Sequence, residues 1–331
     1  MASLVSVIMP AYNGAKFIEQ AIESVVQQTY ADWELVIVED CSTDATRALL
    51  QRYDDARIWV LYNDTNQGIA YSTNKAIAHS HGRYLALLDD DDIAMPERLA
   101  IEARYLDEHP EIAVVGGKNI TITAEGDFIK QSGMSYHNPR LVRAQLLFGM
   151  NPFANGTTMF RRELFDNYHL RYRENCLGMQ DLQFFIEASK VADITTLDHV
   201  FLKTRQHGQN VTTYSRTVQS DARARLFAAM QRDSLCRSGF HLSTEAFDAI
   251  TSTVTEQNVY CSTEYVLAHL YTAFQKIMHQ AEQMNIDYFD ELEIELLTLF
   301  AKAARKHGFF EARTLPFMYT KLQKGCESSE S

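Results

Sequence analysis

The sequence predicts an α/β fold: a mainly parallel central sheet with helices on both faces, followed by a C-terminal helical subdomain. Two observations carry this. Short runs of Val, Ile and Leu alternate with amphipathic helical segments through the first third of the chain, and from about Thr217 onward apolar positions recur at helical spacing almost without interruption. Near-continuous apolar strands separated by helices are the pattern of parallel strands buried on both faces. In such sheets, ligands bind beyond the carboxyl ends of the strands.

The elements follow in order. Leu4-Val5-Ser6-Val7-Ile8-Met9 is an apolar run of strand length, stopped by Pro10 and the turn formers Asn13-Gly14; Phe17, Ile18, Ala21, Ile22, Val25 and Val26 then recur at helical spacing. Glu34 to Val38 repeats the strand, the polar loop Glu39-Asp40-Cys41-Ser42-Thr43-Asp44 follows, and Ala45, Ala48, Leu49 and Tyr53 mark a second helix. Ile58 to Tyr62 gives a third strand, a helix spans Ala70 to Ser80, and Tyr84-Leu85-Ala86-Leu87-Leu88 leads into four consecutive aspartates, Asp89 to Asp92. Beyond Leu99 come a helix to about Glu108, the strand Ile112 to Gly116, and a hairpin of Ile120 to Thr123 with Phe128 to Lys130. A less regular stretch holds a helix near Pro139 to Phe148, a strand at Gly156 to Phe160, a helix from Gln180 and a strand near Val200 to Thr204. Helical spacing resumes around Leu226 to Met230, Tyr265 to Met278 and Leu292 to Ala303.

With 331 residues, 46% of them hydrophobic, the chain can bury a sizeable core. It contains no run of about 18 apolar residues and no charged leader ahead of the first strand, so it is expected in the cytosol. Cys41, Cys176, Cys236, Cys261 and Cys326 are odd in number, widely spaced and without a C-x-x-C pair, which points to reduced thiols rather than a disulfide framework or a zinc site. A net charge of −12 argues against a nucleic acid partner. The exception is the C-terminal stretch. There Lys302, Arg305, Lys306, Arg313, Lys321 and Lys324 outnumber Glu311, with Phe309, Phe310, Phe317 and Tyr319 between them. Such a stretch reads either as a solvated basic helix with a core-facing aromatic side or as a peripheral contact with an anionic membrane, at the inner face of the cytoplasmic membrane.

The loops after the first, second and fourth strands should line one crevice. Pro10-Ala11-Tyr12-Asn13-Gly14 offers backbone donors and a ring able to lie against a planar base. Glu39 and Asp40 can accept an imide proton or ribose hydroxyls, while Asp40 or Ser42 can instead cap the following helix. The aspartate run reads either as a solvated acidic turn or as a site for a hard cation, because four adjacent carboxylates repel unless a cation offsets them. Asp89 and Asp91 converge only if the strand breaks into a turn there, and Asp92 is expected as the cap of the helix after Pro96. Mg²⁺ or Mn²⁺ favours few carboxylates together with phosphate oxygens and water, which suits a bound nucleotide diphosphate.

Taken together, Val5 to Asn13, Glu34 to Thr46, Gly68 to Asn74, and Gly82 to Asp92 through Pro96-Glu97-Arg98-Leu99 resemble, in order and spacing, the successive blocks of glycosyltransferase family 2. The resemblance implies a GT-A fold, a nucleotide-sugar donor, a divalent metal held through a D-x-D motif, and inversion at the anomeric carbon. Residue by residue it implies Pro10, Ala11, Tyr12 and Glu39 as base-binding positions with Asp40 beside them, Asn13 and Asn74 on the donor side, Asp89 and Asp90 as ribose and sugar contacts, and Asp91 as metal ligand. Glu39 and Cys41 stand where the family more often has Asp and Gly, Thr73 replaces an often basic residue, and Ala76 a frequent Gly.

Gly178-Met179-Gln180-Asp181-Leu182 resembles the family's acidic pair at a helix start. By that resemblance Asp181 is the general base, an alternative to capping its helix. Gln180 cannot ionise and would orient the acceptor. Thr204 to Thr212 and Pro152 to Arg162 resemble related lipooligosaccharide glycosyltransferases, which implies His207 as a further metal ligand or diphosphate contact and Asn155 as an acceptor contact. The expected organisation is a catalytic domain over 1–215, with a nucleotide-sugar half (1–117) and an acceptor half (118–215), then a helical subdomain (216–326) and a disordered end (327–331). The expected activity is metal-dependent inverting transfer of a hexose or N-acetylhexosamine from a UDP-sugar to a glycan or glycolipid acceptor of a bacterial surface polysaccharide or lipooligosaccharide. A nucleotidyltransferase making the activated sugar is the enzymatic alternative, but it calls for a Gly-rich basic loop where only Gly14 and Lys16 stand. A non-catalytic glycan-binding or scaffold protein on the same fold is the other.

Overall fold

The structure, a computed structural model, describes residues 4–133, 137–208, 210, 218–255 and 263–306. The chain divides into two compact units, one formed by residues 1–136 and 152–219, the other by 137–151 and 220–331.

The first unit starts with β1 (Val5–Ala11), α1 (Ile18–Val26), β2 (Trp33–Glu39), α2 (Thr46–Leu50), β3 (Ile58–Tyr62), α3 (Ile69–His79) and β4 (Tyr84–Leu87). These strands lie in the order β3-β2-β1-β4, all parallel, with Ala11 level with Glu39 and Ile8 level with Leu87. Parallel registry puts the loops after β1, β2 and β4 on one edge, as the alternation of apolar runs and helices requires. The apolar sides of Val5, Val7, Met9, Leu35, Ile37 and Ala86 pack with Ile18, Ala21, Ile22 and Val25 of α1, and all of these are at most 2% exposed. Each fully buried Val, Ile or Leu among them contributes on the order of 2 kcal/mol.

Next come β5 (Ile93–Ala94), α4 (Arg98–Glu108), β6 (Ile112–Thr123) and β7 (Phe128–Ser132). Where the sequence suggests two strands separated by Gly117-Lys118-Asn119, one twelve-residue strand forms, with register shifts at Gly116 to Asn119 against its parallel neighbour. Gly117 is required there, since a Cβ would stand 2.5 Å from the Phe201 ring. The following helix, α5 (Pro139–Leu147), belongs to the second unit. The first unit resumes with a short 3₁₀ turn over Asn155–Thr157, β8 (Met159–Arg161), α6 (Glu163–Asp166), α7 (Gln180–Ala188) and the long strand β9 (Asp193–Gln206). β8 runs antiparallel between β4 and β6, and the order continues β4-β8-β6-β9-β5 with β7 paired to β6. The result is a mixed sheet, mostly parallel.

The second unit joins α5 to α8 (Ser220–Arg237), α9 (Thr244–Thr255), α10 (Thr263–Met284) and α11 (Phe289–Lys306) around Phe148, Leu235, Phe240, Ile250, Ile277, Leu292 and Leu296. Among the described residues no helix is long and apolar enough to cross a membrane. The basic stretch beyond Lys306, and with it the expected membrane contact and terminal disorder, lies outside the described residues.

Glu295 sits in this helical core at 3% exposure, hydrogen-bonded to Gln145, and burial pushes its carboxyl up to about 7 against the ordinary 4.5, with Lys302 opposing. The folded state therefore binds more protons than the unfolded chain between those values, so this group's contribution to stability falls as pH rises from about 4.5 through 7. Replacing Glu295 by Gln keeps a hydrogen-bonding group and removes the ionisation. Glu295→Gln is expected to stabilise the chain by about 2 kcal/mol at pH 8 and by little at pH 4.5, measured by denaturant unfolding at the two pH values. Equal effects at both would show that ionisation of Glu295 is not the cause.

Candidate active site

The three loops at the carboxyl edge of β1, β2 and β4 are stitched together by their own side chains. Tyr12 N donates to Asp90 Oδ2 at 3.0 Å, Asn13 N to Ser42 Oγ at 3.0 Å, and Thr43 N to Asn13 Oδ1 at 2.8 Å. Asn13 and Cys41 adopt the left-handed conformation (φ 54° and 60°) that this close packing of turns requires. Gly14 leaves room for the third loop, because a Cβ on it would stand 2.2 Å from Asp90 Oδ2. At the start of α2 it is Asp44, rather than Asp40 or Ser42, that accepts from the Thr46 amide at 2.9 Å.

Pro10 and Ala11 close β1, and the Tyr12 ring beside them is exposed, free of the core and able to face a ligand. Glu39 is fully buried; Oε2 accepts from Arg47 Nε at 2.8 Å and Oε1 from the Ser42 amide, while the Arg47 guanidinium lies 4.8 Å from the centre of the Tyr62 ring. Asp40 faces inward. Oδ1 accepts from Asn63 Nδ2 (2.6 Å) and Gln67 N (2.9 Å), and Oδ2 from Gly68 N (2.7 Å), so this carboxylate shapes the approach to α3. Asn74 on α3 spends both ends of its amide on one residue: Nδ2 donates to Tyr172 O at 2.7 Å and Oδ1 accepts from Tyr172 N at 3.0 Å.

The aspartate run breaks into a turn after β4 and divides. Asp90 leaves toward the first loop, whereas Asp89, Asp91 and Asp92 each bring a carboxylate oxygen to within 4.8 Å of the others. Asp92 is not the cap expected from sequence: Glu97 occupies the capping position of α4 without a side-chain bond, and Asp92, 3% exposed, accepts from Arg205 N at 2.8 Å. The end of β9 clamps the same turn. Asp91 Oδ2 lies 2.8 Å from His207 Nε2 and accepts from Asn210 Nδ2 at 3.0 Å. Arg205 Nε donates to Asp91 O at 3.0 Å, another of its nitrogens to Gln20 Oε1 at 2.8 Å, and its guanidinium covers the Phe17 ring at 4.5 Å.

Burial pushes the Asp89 carboxyl up to about 7; the negative charges of Asp91 and Asp181 add to this and the Arg98 guanidinium opposes it. Asp90 and Asp92 are also pushed well above the ordinary range, by burial first and by Asp91 next, against the amides of Tyr12 and Arg205 respectively. A group of hard oxygen donors held together against their own repulsion suits a divalent cation of the Mg²⁺ or Mn²⁺ kind, whose charge would reverse those shifts.

Asp181 lies in the first turn of α7; the capping position is Met179, again without a side-chain bond. Its charge reaches both Asp89 and the buried phenol of Tyr172, so the fold brings it to the acidic turn across more than ninety positions of sequence. Gln180 opens the same helix, half-buried. Asn155 Oδ1 accepts from the Tyr172 hydroxyl at 3.3 Å. Nothing in the sequence singles out Arg98, Tyr172, Arg205 or Asn210 as part of the site. Arg98, Arg205 and Asn210 lie inside the family-like blocks, but an isolated arginine or asparagine gives no sign of the carbonyls and carboxylates it serves.

The family model described as Glycosyl transferase family 2 matches residues 6–169. Among curated proteins, TuaG of Bacillus subtilis, a glycosyltransferase named for teichuronic acid biosynthesis, is 45% identical over 107 residues, covering 32% of this chain and 42% of that protein. WfgD of Escherichia coli, named UDP-Glc:alpha-D-GlcNAc-diphosphoundecaprenol beta-1,3-glucosyltransferase, is 42% identical over 99 residues, 30% of this chain and 39% of that protein. The chain thus spans less than half the length of either relative. A crystal structure of S. aureus TarS 1–349 in complex with UDP-GlcNAc superposes with a TM-score of 0.56 at 20% identity, covering 92% of this chain and 89% of that one, and shows the shared GT-A fold.

Proposed function

From a chain whose residues 6–169 match the family model described as Glycosyl transferase family 2, we propose metal-dependent, inverting transfer of a hexose or N-acetylhexosamine from a UDP-sugar to a hydroxyl of a bacterial surface glycan. The convergence of Asp89, Asp91 and Asp92 at the carboxyl edge of the parallel strands, within electrostatic reach of Asp181, carries this reading. The names of TuaG and WfgD support the polysaccharide setting, and WfgD and the TarS complex support a UDP-sugar.

In this reading the Tyr12 ring lies against the base beside Pro10 and Ala11; Glu39, fully buried and held by Arg47 and the Ser42 amide, supports that wall in place of the base contact expected from sequence, and Asp40, Asn13 and Asn74 hold the loops that shape that pocket. Asp89 and Asp90 meet ribose and sugar. Asp91 would hold the cation with Asp89 and Asp92, and His207 beside it would join as ligand or diphosphate contact. Once bound, the cation offsets the charge developing on the departing diphosphate. Asn155 and Gln180 orient the acceptor. Asp181 takes the proton of the acceptor hydroxyl as its oxygen bonds to the anomeric carbon; the bond from that carbon to the diphosphate oxygen breaks on the opposite face, UDP leaves, and the configuration inverts.

Titration calorimetry of UDP with and without Mn²⁺, on wild type and Asp91→Asn, tests the site. Wild type is expected to bind UDP more tightly with Mn²⁺, and Asp91→Asn to lose about 10–100-fold of the metal-supported affinity. UDP binding that ignores Mn²⁺ in the wild type would overturn the metal-dependent reading.

A further inference from the structure

The segment between α6 and α7, residues 167–179, has no regular secondary structure, and His169, Asn175 and Leu177 in it carry left-handed φ values of 54°, 60° and 48°, followed by Gly178 at 71°. Side chains other than glycine adopt such angles at a cost, so outside contacts must hold this path. Tyr172 makes them. Its backbone N–H and C=O are both tied to Asn74 on α3, at 3.0 and 2.7 Å. Its ring, 3% exposed, stacks on Phe184 with centroids 4.6 Å apart and planes 9° from parallel. Phe184 lies one turn beyond Asp181 on α7, so the stack fixes the helix that presents the candidate base. The hydroxyl donates to Asn155 Oδ1, which decides how the Asn155 amide faces: with the oxygen engaged, the nitrogen is the group left to meet a ligand.

We propose that Tyr172 is a positioning residue for the acceptor side of the site, holding Asp181 through Phe184 and the Asn155 amide through its hydroxyl, while Asn74 anchors it to the donor-side half of the sheet. The assignment rests on the glycosyl-transfer reading above. It gives Asn74 a role distinct from donor contact, and it makes the acceptor contact at Asn155 one in which the protein donates, to a sugar hydroxyl or ring oxygen. Burial, with Asp181 and Asp89 next, pushes the phenol up, which keeps it a neutral donor throughout the working range.

The test uses the full chain with Mn²⁺ and three donors, UDP-glucose, UDP-N-acetylglucosamine and GDP-mannose, reading nucleotide release with octyl N-acetylglucosaminide or water as acceptor. For whichever donor the wild type turns over, Tyr172→Phe should keep melting temperature and donor KM yet lower kcat by about tenfold or more. The loss should be absent when the same change is made on Asn155→Ala, since both remove one hydrogen bond. Asn74→Ala should raise amide hydrogen exchange across 167–179 and lower kcat. Wild-type kcat in Tyr172→Phe, or a loss just as large on the Asn155→Ala background, overturns the assignment while leaving glycosyl transfer intact. Failure of the wild type itself to bind nucleotide or release it from any donor sinks the transfer reading and this proposal with it.

Discussion

Asp181→Asn is expected to lower kcat for sugar transfer by about 10²–10⁴-fold while UDP affinity in Mn²⁺ stays within about twofold of wild type. The substitution keeps size and hydrogen-bonding shape and removes the negative charge, and with it the capacity to take a proton. Asp181 is in the first turn of α7 and does not cap it, so the folding cost is limited to its favourable placement near the helix N-terminus, about 0.3–1 kcal/mol. A second consequence separates this variant from a general lesion. The negative charge of Asp181 is one of the causes that push Asp89 up; with it gone, Asp89 ionises more readily and metal-supported UDP binding should hold or tighten. Single-turnover transfer with calorimetry on the same preparation reads both. Unchanged transfer excludes Asp181 as the base, and lost UDP binding would assign it to the donor side instead.

The pocket edge was legible in the sequence because it follows from local pattern. Apolar runs ending in polar turns after Met9, Val38 and Leu88 are sufficient to place three loops on one edge once the strands are parallel, and the observed registers do so. What the pattern could not give is direction within the aspartate run. Asp90 turns to Tyr12 N and Asp92 to Arg205 N, 113 positions away, and neither partner leaves a trace near residue 90. The same holds for Asp40, which reads as a ligand contact or a cap by composition but is drawn inward by Asn63, Gln67 and Gly68. In the second half the sequence periods were shorter than the elements. β9 runs fourteen residues because it pairs with β6 along its length and brings Arg205 and His207 to the acidic turn; the five residues Val200 to Thr204, apolar only at the first three, signal no more than part of its second half. α5 is amphipathic by sequence, but no local feature says which core its apolar side joins, and it packs with the C-terminal helices.

Arg98→Met is expected to destabilise the first unit by about 3–5 kcal/mol, because it removes one partner of a fully buried ion pair. Arg98 and Glu102 are 1% and 0% exposed and meet at 3.1 Å; a second nitrogen of Arg98 donates to Leu87 O at 2.9 Å and Thr158 O at 3.2 Å. Thr158 O keeps a bond from Leu87 N, so the carbonyl most affected is that of Leu87, two residues before Asp89. Glu102 suffers more. Burial already pushes it up to about 7 against the attraction of Arg98, and its Oε1 has no hydrogen-bond partner. Without Arg98 it must fold protonated or as an uncompensated charge. Arg98→Met with Glu102→Leu removes both charges and should recover most of the lost stability. It should not recover function to the same degree, since Arg98 is the cation that holds Asp89 down. In the double variant Asp89 ionises less readily, and Mn²⁺-supported UDP affinity should stay below wild type with stability restored. Denaturant unfolding and UDP calorimetry across wild type, Arg98→Met and the double variant separate the two roles. If the double variant matches wild type in both, Arg98 serves packing alone; if it regains neither, the loss lies in the anchoring of Leu87 at the end of β4.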